Sequence, residues 1–294
     1  MQNSEMKIEI TCDRTYTNLS KIIEKKLTHS KNLSKRLIRE CLIKVNGEIY
    51  ENSMLRKGDK LEIFFPAETE TIEPLAGSLD ILYEDSDLLI INKPQNIAVH
   101  SSHLKPTIAN WIKYYYSQKN IAQKIRFLNR LDFGTTGILI VAKNFYAHSY
   151  LASEMEAGNT EKIYRCIVEG KIKDVQGTIS LKLSENPNEM HRYYVTEEGK
   201  EAYTDYRVLK RNEKFTYLEV IIRTGRTHQI RVHMSAIGHP ILGDGLYGKE
   251  GDYLSLHAVQ YSLVTPREKR QVRVLAPIPE DFKKLLKYTG LDED

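Results

Sequence analysis

The shortness of the apolar runs limits what this chain can fold into more than any other feature of its sequence. No run approaches the ~18 residues that a membrane-spanning helix needs, and the longest candidates, such as residues 138–142, have the length of buried strands. With 41% hydrophobic and 28% charged residues, the composition is that of an ordinary globular protein, and 294 residues suggest two domains or one domain with a smaller appendage. The first residues are polar and acid-containing, unlike a signal peptide, so we expect a cytoplasmic protein without membrane contacts.

The basic residues are concentrated at the beginning of the chain. Residues 1–66 contain 13 lysines and arginines against 9 aspartates and glutamates, so this segment carries the whole net charge of +4. The remaining residues sum to zero. Such a distribution is expected if the first segment contacts phosphate groups.

A helical hairpin followed by a small sheet is predicted for this basic segment. Ser34 can cap a helix whose apolar side includes Cys41. A short strand at residues 42–45 is followed by Asn-Gly at residues 46–47, which is a strong hairpin signal. After a further glycine turn, another strand is predicted at residues 61–65.

The stretch RLIRECLIKVNGEIYENSMLRKGDKLEIFF resembles the S4 RNA-binding domain, and the similarity covers about residues 14–66. The resemblance implies that Lys35, Arg36, Arg39 and Lys44 bind the RNA backbone. Contacts of this kind give an affinity that falls with salt and carries little sequence information. The alternative is a solvated basic face on a small helical hairpin.

The most informative segment for chemistry is residues 126–143, where polar residues lead into a Gly/Thr turn and then a buried strand. Asp132 lies where the loop begins, and Gly134 and Gly137 let the backbone bend around it. An aspartate at this place can hold backbone N–H groups in the turn, or it can direct its carboxylate into a cleft.

Two nucleotide-binding motifs share letters with this segment. Asp132-Phe133-Gly134 matches the metal-binding tripeptide of kinases, but the Gly-rich loop and the catalytic-loop Asp and Asn do not occur in the required order. Asp-x-Gly-Thr also occurs in the phosphate loop of actin-type ATPases, where it follows an apolar strand, whereas Asn129-Arg130 is polar. Neither motif therefore predicts a nucleotide cofactor.

Cysteines and histidines give no pattern that indicates a metal site. The three cysteines are far apart and form no CxxC pair, so we expect isolated buried thiols. The first two of four histidines in the last third of the chain are five residues apart, which places them on different faces of a helix. The residues concerned are Cys12, Cys41, Cys166, His228, His233, His239 and His257.

Two later segments carry further candidate site residues. An alternating segment that ends in glycine predicts a strand holding Tyr164. Farther along, a short helix is predicted over residues 228–237, with Thr227 as its N-cap. Arg226 would lie just before this helix and Arg231 within it.

These three segments together, in this order, resemble the RluA-type pseudouridine synthase family over about residues 78–278. NRLDFGTTG matches the catalytic motif H-R-L-D-x-x-T-S-G, EKIYRCIVEG matches the K-x-Y strand, and RTGRTHQIRVHMSAIGHPILGD follows the third motif almost letter for letter. Supporting matches are INKPQNIAVH, GKEAYTDY and LHAVQYSL. The sequence departs from the family at Asn129, which replaces the usual His, at Thr136, which replaces Ser, and at Thr265-Pro266, which replaces His-Pro.

The resemblance implies an α+β fold of two domains. We expect a small S4-like (αL) domain at residues 1–66, a linker at residues 67–79, and a catalytic domain at residues 80–294 with a mixed, largely antiparallel sheet and a central RNA-binding cleft. The linker is acidic, then contains Pro and Gly, and has poor periodicity. An S4 domain in front of the catalytic domain is a common arrangement in this family.

The resemblance also assigns roles to single residues. It implies that Asp132 is the essential carboxylate, Tyr164 the active-site aromatic residue, and Arg231 the cation paired with the aspartate. Arg130 would insert into the RNA stack where the target base leaves it, and Arg226 would contact RNA. Extraction of a base from the stack is necessary because the reacting atoms are unreachable within a duplex.

The implied function is isomerisation of specific uridines to pseudouridine in structured RNA, with large-subunit ribosomal RNA favoured over transfer RNA. The reaction involves no redox change, group transfer or net hydrolysis, so we expect that it needs no cofactor, nucleotide or metal. We also expect a monomeric enzyme. The alternative is a catalytically inactive RNA-binding or ribosome-assembly factor of the same fold. Such a factor need not keep Asp132, Tyr164 and Arg231 together.

Overall fold

The computed structural model describes residues 6–26, 31–51, 53–65, 68, 70–189 and 191–292. It has an α+β fold that consists of a small N-terminal module and a larger unit built around a ten-stranded sheet. The expected fold class is therefore confirmed. Among the described residues, no helix is both long enough and apolar enough to cross a lipid bilayer.

The N-terminal module combines two helices with a four-stranded antiparallel sheet in the order β1-β4-β2-β3. Its buried core comes from one face of each helix and from alternate residues of the strands. The elements are β1 (Met6–Thr11), α1 (Leu19–Lys26), α2 (Lys31–Arg39), β2 (Ile43–Val45), β3 (Glu48–Ile49) and β4 (Lys60–Phe65).

Local details of this module confirm some predictions and correct others. The hairpin at Asn46-Gly47 is confirmed, because both residues have the positive φ angles, 51° and 92°, that a tight hairpin turn requires. Ser34 lies inside α2 and does not begin it, so its predicted capping role is wrong. Cys41 is exposed, since the helix has ended at Arg39 and Cys41 adopts a left-handed turn conformation with φ 51°.

The segment predicted as a linker lies against the larger unit. The backbone N–H of Glu68 donates to the carbonyl of Ala122 at 2.8 Å, and its carboxylate pairs with Arg126 at 2.5 Å. Farther along, the carboxylate of Glu70 accepts from the backbone N–H of Ile125 at 3.1 Å. These contacts hold Glu68 and Glu70 against the larger unit.

The N-terminal module also packs directly on the larger unit. The ring of Phe65, at the end of β4, meets the ring of Phe145 edge to face with centroids 5.1 Å apart. The guanidinium of Arg36 lies 4.1 Å from the centroid of the same Phe145 ring. On another side, Arg267 donates to the backbone carbonyl of Lys7 at 2.7 Å. Aromatic and cation–π contacts therefore hold the module in one orientation.

The larger unit has a main sheet in the order β10-β13-β14-β9-β15-β8-β6-β5, with β16 paired to β15 and β7 to β8. Its pairs are antiparallel except the parallel pair of β15 and β8, which agrees with a largely antiparallel mixed sheet. The elements are β5 (Asp80–Glu84), β6 (Leu88–Lys93), α3 (Ile108–Gln118), β7 (Arg126–Phe127), β8 (Thr136–Ala142), α4 (Phe145–Glu156), β9 (Glu161–Glu169), β10 (Gln176–Ser180), β11 (Leu183–Glu185), β12 (Tyr193–Val195), β13 (Tyr203–Arg211), β14 (Phe215–Ile222), α5 (Gln229–Ala236), β15 (Leu256–Val264), β16 (Gln271–Leu275) and α6 (Glu280–Thr289).

Strand β8 lies at the centre of this sheet, and all of its residues are buried. Its apolar run at residues 138–142 therefore reads as a continuous stretch instead of an alternating one. Gly137 has φ 107°, and a Cβ atom there would lie 2.3 Å from the carbonyl oxygen of Ala258 on β15. The close approach of these two strands thus requires glycine at position 137.

Candidate active site

A cavity of about 840 Å³ opens where three distant segments of the chain meet. The loop before β8 contributes Asp132 and Arg130, strand β9 contributes Tyr164, the segment before α5 contributes Arg226, and α5 contributes Arg231. All five of these predicted residues line the same cavity. A cavity of this size lies within the range of ~300–1,000 Å³ that is typical of ligand sites.

Asp132 and Arg231 form an ion pair in this cavity. Nη1 of Arg231 donates to Oδ2 of Asp132 at 3.2 Å, and the aspartate side chain keeps 23% of its surface exposed. The carboxylate is therefore held by a cation and still reachable from the cavity. Of the two local possibilities for this aspartate, the structure shows the one in which the carboxylate faces a cleft.

Arg231 is itself held by a second acid, Asp244, which sequence analysis did not single out. Nε and Nη2 of Arg231 donate to the two carboxylate oxygens of Asp244 at 2.8 and 2.7 Å. Asp244 also accepts from the backbone N–H groups of Leu246 and Tyr247 at 3.0 and 3.2 Å. The planar guanidinium is thus fixed from behind by a bidentate pair while its remaining nitrogen faces Asp132.

The charge state of Arg231 follows from these contacts. Burial acts to lower the pKa of Arg231, but the hydrogen bonds with Asp244 and the charge of Asp132 raise the pKa overall. The cation therefore persists in a largely buried place. In the sequence, Asp244 stands out only as the last residue of the third motif. Its pairing with Arg231 depends on the fold and cannot be read from the motif.

Tyr164 lies on β9 opposite Ala258 of β15, with 7% of its surface exposed. Burial, with smaller contributions from Tyr261 and Asp132, raises the pKa of Tyr164 above its ordinary value. The side chain is accordingly a neutral phenol at physiological pH. It forms an aromatic wall of the cavity that also contains Asp132.

Arg130 and Arg226 make contacts within the protein. Nη2 of Arg130 donates to the hydroxyl of Thr227 at 3.0 Å, which joins the Asp132 loop to the segment before α5. Nε of Arg226 donates to the backbone carbonyl of Glu201 at 3.0 Å. Thr227 is not the N-cap of α5 as predicted, because the helix begins at Gln229 and His228 occupies the N-cap position.

The start of α5 is organised by Gln229 and His228 instead. The helix begins at Gln229, one residue later than predicted, and His228 precedes it with a left-handed φ of 54°. The side-chain oxygen of Gln229 accepts from the backbone N–H of Arg226 at 3.0 Å, so it satisfies a donor in the approach to the helix. His228 also enters the site, since its Nε2 lies 3.9 Å from Oδ1 of Asp132.

Lys93 lies behind the Asp132 loop and was not predicted as a site residue. It is fully buried, and its ammonium group donates to the backbone carbonyls of Pro94 and Phe133 at 2.8 and 3.1 Å. Burial lowers the pKa of Lys93 to about 7, with Asp132 acting in the opposite direction. Lys93 thus connects the end of β6 to the residue that follows Asp132.

Asn129 replaces the usual histidine of the family motif, and the structure shows what the amide does. Its Nδ2 donates to the carbonyl of Ile138 at 2.9 Å, and its Oδ1 accepts from the N–H of Ile140 at 2.9 Å. Asn129 therefore pairs with the backbone of β8 in the manner of another strand residue. This contact holds the Asp132 loop against the central strand.

The four histidines considered for metal binding lie in separate surroundings. His233 contacts the hydroxyl of Thr204 at 2.9 Å, and His257 contacts the hydroxyl of Thr136 at 2.8 Å. His239 contacts the carbonyl of Glu169 at 2.8 Å, while His228 faces the cavity. Within the described parts of the chain, no group of three His, Cys, Asp or Glu side chains is arranged as metal ligands.

The basic residues predicted to bind RNA in the N-terminal module differ in their surroundings. Lys35, Arg39 and Lys44 are exposed, with Arg39 paired to Glu40 at 2.9 Å and the ammonium of Lys44 5.2 Å from the ring of Phe64. Arg36 is turned inward to the contact with the larger unit. Of these four residues, Lys35, Arg39 and Lys44 therefore present their charge mainly to solvent, and Arg36 does not.

Known proteins similar to this chain point to one family. A sequence profile described as RNA pseudouridylate synthase matches residues 87–236. A Bacillus subtilis protein named uncharacterized RNA pseudouridine synthase YjbO is 36% identical over 87% of this chain and 95% of its own length. The ribosomal large subunit pseudouridine synthase D of Haemophilus ducreyi is 33% identical over 90% of this chain and 88% of its own. The solved structure of human RNA pseudouridylate synthase domain containing 1 matches with a TM-score of 0.59 at 28% identity, covering 72% of this chain and 86% of that one.

Proposed function

This chain belongs to the RNA pseudouridylate synthase family, of the RluA type, and from that membership we propose that it converts specific uridines of large-subunit ribosomal RNA to pseudouridine. The choice of ribosomal over transfer RNA is supported by the Haemophilus ducreyi relative, whose name specifies the ribosomal large subunit. The basic N-terminal module supports a structured RNA as the substrate.

The observation that carries the proposal is the chain of charges Asp132–Arg231–Asp244 at a cavity that can admit a nucleotide. Asp244 holds Arg231, and Arg231 holds one oxygen of Asp132. A carboxylate that must react in a defined direction needs this kind of fixed support. Tyr164 on the wall of the same cavity adds an aromatic surface beside the carboxylate.

The proposed reaction begins when the target uridine leaves the RNA stack and enters the cavity. The C1′–N1 bond breaks, the uracil turns, and a C1′–C5 bond forms, after which the proton on C5 is lost and N1 gains one. Arg130 would occupy the gap in the stack and offset part of the cost of flipping. To do so its guanidinium would give up the hydrogen bond to the hydroxyl of Thr227 and contact the RNA instead.

Asp132 would start the reaction as a nucleophile at C1′ or as a base at C2′, and both routes require the ionised carboxylate. Arg231 stabilises this charge through a hydrogen bond to Oδ2. Tyr164 would stack on the uracil. Because its pKa is raised, the phenol form supports stacking and hydrogen-bond donation better than proton abstraction by a phenolate.

The rim of the cavity provides surfaces suited to bases next to the target. Phe133, directly after Asp132, exposes 50% of its surface, and Leu104 exposes 53%. Both line the cavity. Exposed apolar side chains in a groove are typical of sites where unpaired bases stack.

The test is to incubate the purified protein with ribosomal RNA from cells in which the gene for this protein is deleted, and to map pseudouridine at single-nucleotide resolution. The wild type should form pseudouridine at defined sites, Asp132→Asn should form none, and Asp80→Asn, a matched change on β5, should behave like the wild type. Equal product with wild type and Asp132→Asn would rule out catalysis by Asp132, and a binding factor without activity would give no product at all.

A second arm examines the expected independence from cofactors and metals. Full activity in excess EDTA, with no nucleotide added, is the expected result. Loss of activity that Mg²⁺ together with ATP restores would contradict the proposed chemistry. If transfer RNA is modified and ribosomal RNA is not, the proposed substrate is wrong while the reaction stands.

A further inference from the structure

The imidazole of His228 stands between two groups that it can connect. Its Nε2 lies 3.9 Å from Oδ1 of Asp132, the oxygen that Arg231 does not hold. Its Nδ1 lies 2.8 Å from the hydroxyl of Tyr247. The rings of Tyr193 and Tyr247 both pack edge-on against the imidazole, with centroids 5.7 and 5.6 Å away. The ring is thereby held in one orientation.

The hydrogen bonds of Tyr247 bear on which imidazole nitrogen carries the proton. The Tyr247 oxygen accepts from the backbone N–H of Tyr193 at 2.8 Å, and Nδ1 of His228 lies within reach of the proton that the hydroxyl can donate. A neutral imidazole that accepts at Nδ1 must carry its hydrogen on Nε2. Burial lowers the pKa of His228 below its ordinary value, although Asp132 opposes this, so the ring is neutral at physiological pH.

Tyr247 is fixed by the same acid that fixes Arg231. Asp244 accepts from the backbone N–H of Tyr247 at 3.2 Å, and the guanidinium of Arg231 lies 5.1 Å from the Tyr247 ring. Asp244 therefore supports both groups that face Asp132. Through Arg231, Asp244 is connected to Oδ2 of Asp132. Through Tyr247 and His228, it is connected to the neighbourhood of Oδ1.

We propose that His228 is a positioning residue for Asp132, in which the hydroxyl of Tyr247 holds a neutral imidazole as the Nε2–H tautomer and directs that donor at Oδ1. This inference rests on the proposed function. The separation of 3.9 Å shortens to hydrogen-bond distance when the RNA is bound, as is common for contacts that are long in the unliganded enzyme. A neutral donor orients the carboxylate without adding a second cation that would weaken it as a nucleophile or base.

The decisive experiment compares Tyr247→Phe in two backgrounds, wild type and His228→Ala. Alanine removes the imidazole and its donor, so His228→Ala should itself lower kcat about tenfold. Tyr247→Phe should lower kcat about tenfold in the wild type, the size of one lost hydrogen bond, with little change in KM. In the His228→Ala background the same change should lower kcat less than about twofold, because the hydroxyl then has no imidazole to orient.

An equal loss of kcat in both backgrounds would show that the hydroxyl acts only on the local structure and would overturn the proposal. Tyr83→Phe removes a hydroxyl that donates to Asp85 on a distant edge of the sheet, and it should leave kcat unchanged. Unfolding temperatures of all variants separate loss of folding from loss of positioning.

A spectroscopic arm keeps this test separate from the proposed function. In protein labelled with ¹⁵N at histidine, the NMR signals of His228 should show an unprotonated Nδ1 and a protonated Nε2 in the wild type. Tyr247→Phe should shift them toward a mixture of the two tautomers. A wild-type Nδ1–H tautomer would sink the proposal even if the enzyme is active, and the expected tautomer would stand even if uridine is not the substrate.

Discussion

The cavity and the N-terminal module carry positive charge in opposite ways. In the cavity, Arg231 is 11% exposed and is held by two acids, one of them fully buried. In the module, Lys35 and Arg39 lie on the surface, and the side chain of Arg39 is 74% exposed. A fixed charge can orient a reacting group, whereas exposed charges attract phosphates without defining a geometry. From this difference we propose that the cavity serves the chemistry and the module the affinity for RNA.

The largest effect should come from breaking the buried support of the cavity. Asp244→Ala leaves the buried guanidinium of Arg231 without its bidentate partner, which should lower the free energy of unfolding by about 3–5 kcal/mol. Because Asp132 is then poorly oriented, kcat should fall at least about 100-fold in folded protein. Urea unfolding and single-turnover assays below the unfolding temperature measure the two effects. A folded variant with normal kcat would refute the idea that Asp244 organises the site.

The next effect concerns a neutral histidine buried in the larger unit. Burial lowers the pKa of His257 to about 4 from an ordinary value of 6.5. A histidine with a lowered folded-state pKa contributes stability that is present above pH 6.5 and is lost as the pH falls through 4. The contribution should be about 3 kcal/mol between these limits.

Urea titrations from pH 7.5 to 4 measure this contribution, with His257→Gln as the comparison. The slope of stability against pH over this range should be smaller in the variant. Identical slopes in the two proteins would contradict a neutral His257 in the folded state. The titration of His257 should not change the stability of the N-terminal module, since this histidine contacts Thr136 of β8 in the larger unit.

A smaller effect is expected at the rim of the cavity. Phe133→Ala removes an exposed ring that would stack on a base, so KM for RNA should rise about tenfold while kcat at saturation changes little. Phe133→Trp should keep a low KM. Tyr288→Ala, which removes a ring that is 78% exposed on α6, is the matched control and should have no effect. A fall in kcat without a change in KM would assign Phe133 to the reacting geometry instead.

The smallest effects should come from the module, where single charges contribute little. The double variant Lys35→Gln/Arg39→Gln should reduce the slope of log affinity against log salt by about 1.4–1.8, since each phosphate contact contributes about 0.7–0.9. Arg36→Gln removes the same charge from a side chain that pairs with Glu68 and covers Phe145, so it should leave that slope unchanged. If Arg36→Gln reduces the slope of log affinity against log salt by as much per charge as the double variant, then exposure does not decide which cations of the module contact phosphates.

Local patterns predicted those parts of the fold that depend on chain neighbours. The Asn46-Gly47 hairpin and the apolar run that became β8 were foreseen because turn chemistry and unbroken hydrophobicity are read within a few residues. Strand β1 was not foreseen, although Met6–Thr11 alternates apolar and polar residues as a strand does, because the first residues were judged by their overall polarity. Predictions for Ser34 and Thr227 failed because the helices begin at other residues than the capping signals indicated, α2 at Lys31 and α5 at Gln229.

The candidate site shows the same limit at the level of side chains. Motif letters placed Asp132, Tyr164 and Arg231 in one proposal, and the structure brings these three to one cavity. They did not indicate that Asp244 supports Arg231, or that His228 faces the second oxygen of Asp132. Those contacts join residues that are 13 and 96 positions apart, and they depend on the fold as a whole.

The contact of Phe65 and Arg36 with Phe145 has a consequence for how substrates are selected. Phe145 begins helix α4, and Met155 near the end of the same helix lines the cavity. Phe145 and Met155 are ten residues apart, about 15 Å along the helix axis, so a rigid helix sets the spacing between the docking contact and the cavity. On the proposed function, an RNA bound by the module and by the cavity at once would have to match a fixed spacing between them, so that its selection would depend on distance along the folded RNA as well as on the base.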